Sequence, residues 1–151
     1  MTYVRGHIDI ASPLETVFDV VADQTNEPAY NPAMVRSEMV TPGPVGDGSR
    51  FHAVARTAGR EVPMTIELVD YGRPHHLGVL TAVDGTIIDG TMDFVPCPGG
   101  TRMSWDWDVR TTGGLKMLSP LVALMGRRQE RRIWTALKHR LEARRPAQTS
   151  A

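Results

Sequence analysis

The chain of 151 residues has one cysteine, Cys97, so no internal disulfide can form. Cys97 sits between Pro96 and Pro98 with no neighbour in sequence that would lower its pKa, and it reads as inert. Cysteines and histidines are nowhere paired at metal-ligand spacing. His75 and His76 are adjacent, so on a strand they would point to opposite faces. A Gly-Lys-Ser/Thr phosphate loop and a Gly-x-Ser-x-Gly elbow are both absent. The residues therefore predict neither a metal nor a cofactor. Net charge is also lacking: 17 Lys and Arg balance 17 Asp and Glu, which speaks against a general nucleic-acid binder. No apolar run approaches membrane-spanning length, and the N-terminus lacks a charged-then-apolar signal pattern. The expectation is a cytoplasmic protein without an integral membrane segment.

What is present organises around one stretch near the end. Ser119-Pro120 suits a helix start, and a helix is predicted over Pro120–Arg144. Val122, Met125, Ile133, Trp134, Leu137 and Leu141 form an apolar stripe on it. The opposite face carries Arg127, Arg128, Arg131, Arg132, Lys138 and Arg140. At ~1.5 Å per residue this helix is about 37 Å long. The zero net charge thus conceals an asymmetry: from Arg127 onward there are eight basic and two acidic residues, against nine and fifteen before it. A solvated face docked on a mildly acidic sheet accounts for that. The sharper alternative is transient contact with anionic lipid or an acidic partner.

The rest alternates as strands do: Tyr3–Ile10, Met34–Val40, Ser49–Thr57, Arg60–Tyr71, His76–Val83, Thr86–Val95 and Arg102–Arg110. Turn residues separate them at Ala58-Gly59, Gly72-Arg73-Pro74, Asp84-Gly85 and Pro96–Gly100, and Pro63 suggests an edge position or a missing ladder bond. Ser12-Pro13-Leu14-Glu15 reads as a capping box opening a helix to about Asp23. The Gln24–Pro32 segment, with two prolines and two asparagines, predicts a short helical turn and a loop. Thr112-Gly113-Gly114 and a turn at Leu115–Leu118 lead to the last helix. The prediction is an α+β domain over residues 1–144, two short helices after the first strand, and a flexible tail at 145–151. Consecutive hairpins give an antiparallel sheet with one apolar face, and a helix laid across it encloses the core.

Four stretches carry a family resemblance: Ile8–Phe18 (IDIASPLETVF), Ala29–Pro32 (AYNP), Gly46–Phe51 (GDGSRF), and Gly99–Met103 (GGTRM) leading to the helix that ends LKHRLE at Glu142. With them the chain resembles the START-like, or SRPBCC, helix-grip superfamily, within it the polyketide cyclase/dehydrase and lipid-transport group. The resemblance implies a curved seven-stranded antiparallel sheet gripping the long helix around an elongated apolar cavity. That fold hosts carriers, cyclases, hydrolases and co-chaperones, so it does not decide function.

Alternation sends Phe51, Met64, Ile66, Leu68, Leu77, Val79, Met92, Phe94, Met103, Trp105 and Trp107 to the concave face. Phe18, Val21, Tyr30, Val122 and Met125 close over them. Small Ala53, Ala55 and Gly90, with eight methionines, suit a cavity lining. The expected ligand-contacting set is Phe18, Tyr30, Phe51, Met64, Ile66, Leu68, Leu77, Val79, Met92, Trp105, Trp107, Val122 and Met125. His52, Arg56, Asp89, Asp106 and Asp108 fall on the outward face, Gln129 lies beside the helix's inner stripe, and Asn31 and Thr81 are near the cavity. Tyr30 is the one candidate proton donor, and no inward His, Asp or Glu is evident. Binding or carrying a hydrophobic small molecule, such as a lipid, polyketide or isoprenoid, is the leading expectation. Its alternatives are a polyketide aromatase/cyclase-type enzyme and an interaction module using the basic helix face.

Overall fold

The computed structural model describes residues 2–57, 59–83, 85–111 and 119–144, with the backbone alone for 2, 57, 111, 119–127 and 144. Seven strands make one antiparallel sheet: β1 (Thr2–Ile10), β2 (Met34–Met39), β3 (Arg50–Thr57), β4 (Arg60–Gly72), β5 (His76–Val83), β6 (Thr86–Cys97) and β7 (Gly100–Thr111). Their order is β1-β7-β6-β5-β4-β3-β2. Helix α1 (Leu14–Ala22) and a 3-10 turn (Gln24–Ala29) link the two edge strands, and α2 (Ser119–Arg144) closes the fold. The molecule is thus α+β, a curved sheet wrapped on a long C-terminal helix. Among the described residues no helix is long and apolar enough to cross a membrane.

The pleat puts period-2 apolar residues on one face. Phe51, Leu68, Leu77, Phe94 and Met103 are fully buried there. Phe18 of α1 meets Phe94 and Tyr71 edge-on, with ring centres 5.1 and 5.3 Å away. Ile133, Trp134, Leu137 and Leu141 of α2 complete the core. The end of that helix is clipped to β1. Lys138 Nζ donates to the Asp9 carbonyl at 2.8 Å and to Glu142 at 2.7 Å, while Glu142 accepts the Ala11 N–H at 2.9 Å.

Three local expectations change and a fourth is narrowed. Pro63 is not at an edge, since β4 lies between β3 and β5, and the other expected arrangement, a missing ladder bond, holds. It tolerates the position because the β4–β5 ladder starts only at Met64–Val83, so the missing donor faces no strand on that side. The loop expected over Pro96–Gly100 is a tight turn, with Cys97 already paired to Gly100 and Gly99 at φ 83. Ser12 makes no capping box. Pro13 is the cap residue, and the buried Ser12 instead accepts the Thr101 hydroxyl on its carbonyl at 2.8 Å. Finally, alternation in β4 is broken by a bulge between Leu68 and Asp70. Val69 is left exposed and Tyr71, paired with Leu77, turns inward onto Phe18. The turn at Leu115–Leu118 and the tail at 145–151 lie outside the described residues.

Candidate functional site

Sheet and helix do not meet everywhere. Between β3–β6, the 3-10 turn and α2 lies a cavity of about 170 Å³. Its apolar walls are Val21, Met34, Ala55, Met64, Ile66, Val79, Ile88, Met92, Trp107, Ile133 and Trp134. Gln24, Glu27, Asn31, Thr81, Gln129 and Glu130 supply the polar wall. Gly90 does not widen it: a Cβ there would run into the Asp106 carbonyl oxygen of the neighbouring strand and come within 2.8 Å of Trp107 Cε3, so the glycine makes room for that backbone and for the indole.

The polar wall is built around two carboxyls. Glu130, one turn before Trp134 on α2, accepts the indole N–H of Trp134 at 2.7 Å and that of Trp107 at 3.0 Å on the same oxygen. Glu27 reaches in from the 3-10 turn and accepts the Asn31 side-chain N–H at 2.9 Å. Asp23 holds that turn in place, accepting from the Thr25 amide and hydroxyl at 3.1 and 2.6 Å. Asn31 is itself fixed by accepting the Ala33 amide at 3.1 Å. Burial pushes the Glu27 carboxyl up to about 7; the Asn31 bond opposes that, and the Glu130 charge adds to it. Glu130 is also raised by burial, against the pull of its two indole bonds. One apolar-walled cavity therefore holds a carboxyl fixed by two N–H donors beside a second carboxyl that burial raises to about 7. Such a pair can donate to one oxygen of a guest and accept from another.

The cavity opens to a groove of about 420 Å³. Asn31, Pro32, Ala33 and Arg56 form one bank, and Arg128, Gln129, Arg132 and Ile133 of α2 form the other. Four of these residues, Asn31, Ala33, Gln129 and Ile133, belong to the cavity as well.

A model of the polyketide cyclase/dehydrase and lipid transport family matches residues 1–142. The chain belongs to that family. Solved structures agree on the fold. Protein TTHA0849 of Thermus thermophilus superposes with a TM-score of 0.80 at 22% identity, over 93% of this chain and 97% of that one. A START superfamily protein of Mycobacterium smegmatis gives 0.79 at 18% identity, over 95% and 99%. The Zhui aromatase/cyclase of Streptomyces sp. R1128 gives 0.76 at 14%, over 99% and 98%. No curated protein matches the sequence.

In this member of the polyketide cyclase/dehydrase and lipid transport family, the sequence-derived contact set divides. Met64, Ile66, Val79, Met92 and Trp107 stand on the cavity wall. Phe18, Phe51, Leu68 and Leu77 are buried but packed in the core away from that wall. Trp105 is buried too, lying over Gly6, where a Cβ would meet its Cζ2 at 2.6 Å, and its indole N–H has no hydrogen-bond partner among the described residues. Tyr30 is packed against Trp134, ring centres 6.0 Å apart, and is not on the wall. Burial, with Glu27 and Glu130 nearby, holds its phenol neutral well beyond the usual range. The side chains of Val122 and Met125 lie outside the described residues. Asn31, Thr81 and Gln129 do line the cavity.

Sequence reasoning missed Glu27 and Glu130, and the expectation of no inward acid is corrected by them. Glu130 sits in a run of arginines and reads as solvated. The signal that would have found it is its i,i+4 spacing from Trp134. Among the described residues no group of three or more His, Cys, Asp or Glu side chains gathers as metal ligands do.

Proposed function

We propose that the protein is a cytoplasmic carrier that binds a hydrophobic small molecule, of lipid, polyketide or isoprenoid type, in the cavity between the sheet and α2. The observation that carries this reading is the apolar-walled cavity with its polar groups gathered on Glu27 and Glu130. Binding would come from burying apolar surface at about 25 cal/mol per Å². A neutral oxygen on the guest, a carbonyl or hydroxyl, would face the carboxyl pair, which supplies both a donor and an acceptor. Size narrows the guest further. A dry cavity of roughly 150 Å³ accepts a benzene ring, so the 170 Å³ here takes a ring-sized apolar portion and the remainder occupies the groove. The test is native mass spectrometry of the purified protein beside calorimetric titration with 2-(2-naphthyl)ethanol. Saturable 1:1 binding is expected, weakened at least tenfold by Val79→Trp, which fills the cavity. Absence of both a co-purified apolar species and saturable binding would end this reading.

A second reading is favoured by one specific feature, the Glu27 carboxyl raised to about 7 beside the buried carboxyl of Glu130. In an aromatase/cyclase-type reaction, Glu130 would take a proton from a methylene between two ketones. The resulting carbanion would attack a second carbonyl, whose oxygen would take the Glu27 proton. Turnover of a model poly-ketone that Glu27→Gln lowers by about 10² to 10⁴ would select this reading. No turnover by wild type leaves the carrier.

A further inference from the structure

We propose that the ligand is an amphiphile with a single anionic group, carboxylate or phosphate, held at the cavity mouth by Arg128 and Arg132 with Arg56 opposite. This rests on the carrier reading and names the class of molecule carried. The groove in which the three arginines stand is continuous with the cavity, sharing Asn31, Ala33, Gln129 and Ile133 with it. Its positive charge is uncompensated. Arg128 and Arg132 are exposed and make no ion pair among the described residues. Arg56 meets Glu61 at 3.2 Å, but Glu61 also meets Arg36 at 3.7 Å, so one carboxylate serves two guanidinia.

Helix α2 offers no acid of its own to these arginines. Its two carboxylates are committed elsewhere, Glu130 to Trp107 and Trp134, and Glu142 to Lys138 and the Ala11 amide. Residues 112–127 and 144–151 contain no acidic side chain, and Asp84 is the one acid outside the described residues. Arginine forks suit a carboxylate or phosphate in two-point contact. The inner wall fixes the orientation. Burial raises both carboxyls at the closed end because a negative charge there is costly, and an anion on the guest would meet the same cost, so a charged group goes to the mouth and neutral oxygen goes inward.

The experiment compares two probes of one skeleton by calorimetry, neutral 2-(2-naphthyl)ethanol and anionic 2-naphthylacetate, at 50 and 300 mM salt. We expect the anion to bind at least tenfold tighter at low salt and to lose most of that advantage at high salt. The double variant Arg128→Gln/Arg132→Gln should reduce the preference to within about twofold, and a far-UV circular dichroism spectrum equal to that of wild type reports an intact fold. Arg131→Gln, exposed on the same helix but outside the groove, should keep the full preference. Equal binding of the two probes by wild type would overturn the anion site and leave the carrier reading standing, whereas failure of both to bind would remove both. A third arm uses vesicles of phosphatidylglycerol against phosphatidylcholine. Vesicle binding that needs Arg128 and Arg132, without any preference for naphthylacetate, would overturn the proposal and assign these arginines to a membrane surface.

Discussion

One oxygen of Glu130 accepts two indole N–H groups, from Trp107 at 3.0 Å and Trp134 at 2.7 Å, and that geometry decides what substitution there should do. Glu130→Ala strands two buried donors, at about 1–3 kcal/mol for an unmet polar group. Glu130→Gln keeps a carbonyl acceptor and should cost less, within about 1 kcal/mol. Urea midpoints of the two variants check this, and equal losses would mean that the indole bonds contribute nothing. Tyr30 makes the opposite case. Its hydroxyl has no hydrogen bond among the described residues and its ring lies against Trp134. Tyr30→Phe should therefore leave affinity for 2-(2-naphthyl)ethanol within about tenfold, or 1.4 kcal/mol, and stability nearly unchanged. A larger loss of affinity would return the phenol to the site. Alternation along a strand tells which face a residue takes, so Met64, Ile66, Val79 and Met92 were legible as cavity candidates. It does not tell which inward residues are covered by another side chain. Phe51 and Leu77 face the same way as Met64 and Val79, yet they are packed in the core and do not stand on the cavity wall. The acids were illegible for another reason, because a lone Glu within a basic run or a polar turn is usually solvated, and only the position of its neighbours in space says otherwise.

At the level of elements, the strands were the readable part. Each hairpin carries both a pleated alternation and a glycine, and at Gly59, Gly85 and Gly99 that glycine adopts the positive φ which other residues avoid. The bulge at Val69 was hidden, since a valine is acceptable in either register. Only the demand of Phe18 for a partner explains why Tyr71 is turned inward. The α2 stripe was legible from spacing, but its docking depends on Lys138 and Glu142 reaching across to β1, a contact between residues more than a hundred positions apart. Trp134 is the test of that docking. It is 6% exposed and stacks between Tyr30 and Trp105, whose ring centres lie 6.0 and 5.9 Å away. Trp134→Ala should destabilise the fold by about 3–5 kcal/mol. It should also leave Tyr30 and Trp105 facing the enlarged cavity, so binding of the naphthyl probe weakens as well. A denaturation midpoint equal to wild type would show that α2 is held by its Lys138–Glu142 clip and not by its stripe.

For the molecule as a whole, the ionisable groups fall into two sets that work against each other with pH. Asp9 beside Arg102, Asp19 beside Arg73 and Glu142 beside Lys138 are all held below the ordinary carboxyl range. Their contribution is present above the unfolded values and is lost as pH falls through the folded ones. Glu27 and Glu130 are raised by burial, and for Glu27 the folded state binds more protons than the unfolded chain between pH 4.5 and about 7. Stability from that source is complete below pH 4.5 and lost as pH rises through the folded value. His76, bonded to Asp93 at 2.8 Å and beside Asp70 at 3.0 Å, is raised as well, and its contribution also disappears as pH rises through its folded value. Two of these pairs are exposed and the third is half-buried, so they are solvent-screened and individually weak, whereas the Glu27 carboxyl is enclosed, so the alkaline limb dominates. We expect stability to peak near pH 5 and decline toward pH 8. Glu27→Gln isolates the cause, because glutamine is neutral at every pH. The variant should match wild type at pH 5 and exceed it at pH 8 by on the order of 1–3 kcal/mol, since a tenfold change in proton affinity is worth ~1.4 kcal/mol and the group stays partly hydrated. Urea denaturation at half-unit steps from pH 4.5 to 8 measures the gap. A gap that stays constant with pH would mean that Glu27 ionises as freely in the folded protein as in the unfolded chain. In that case acid catalysis by Glu27 at neutral pH would be ruled out.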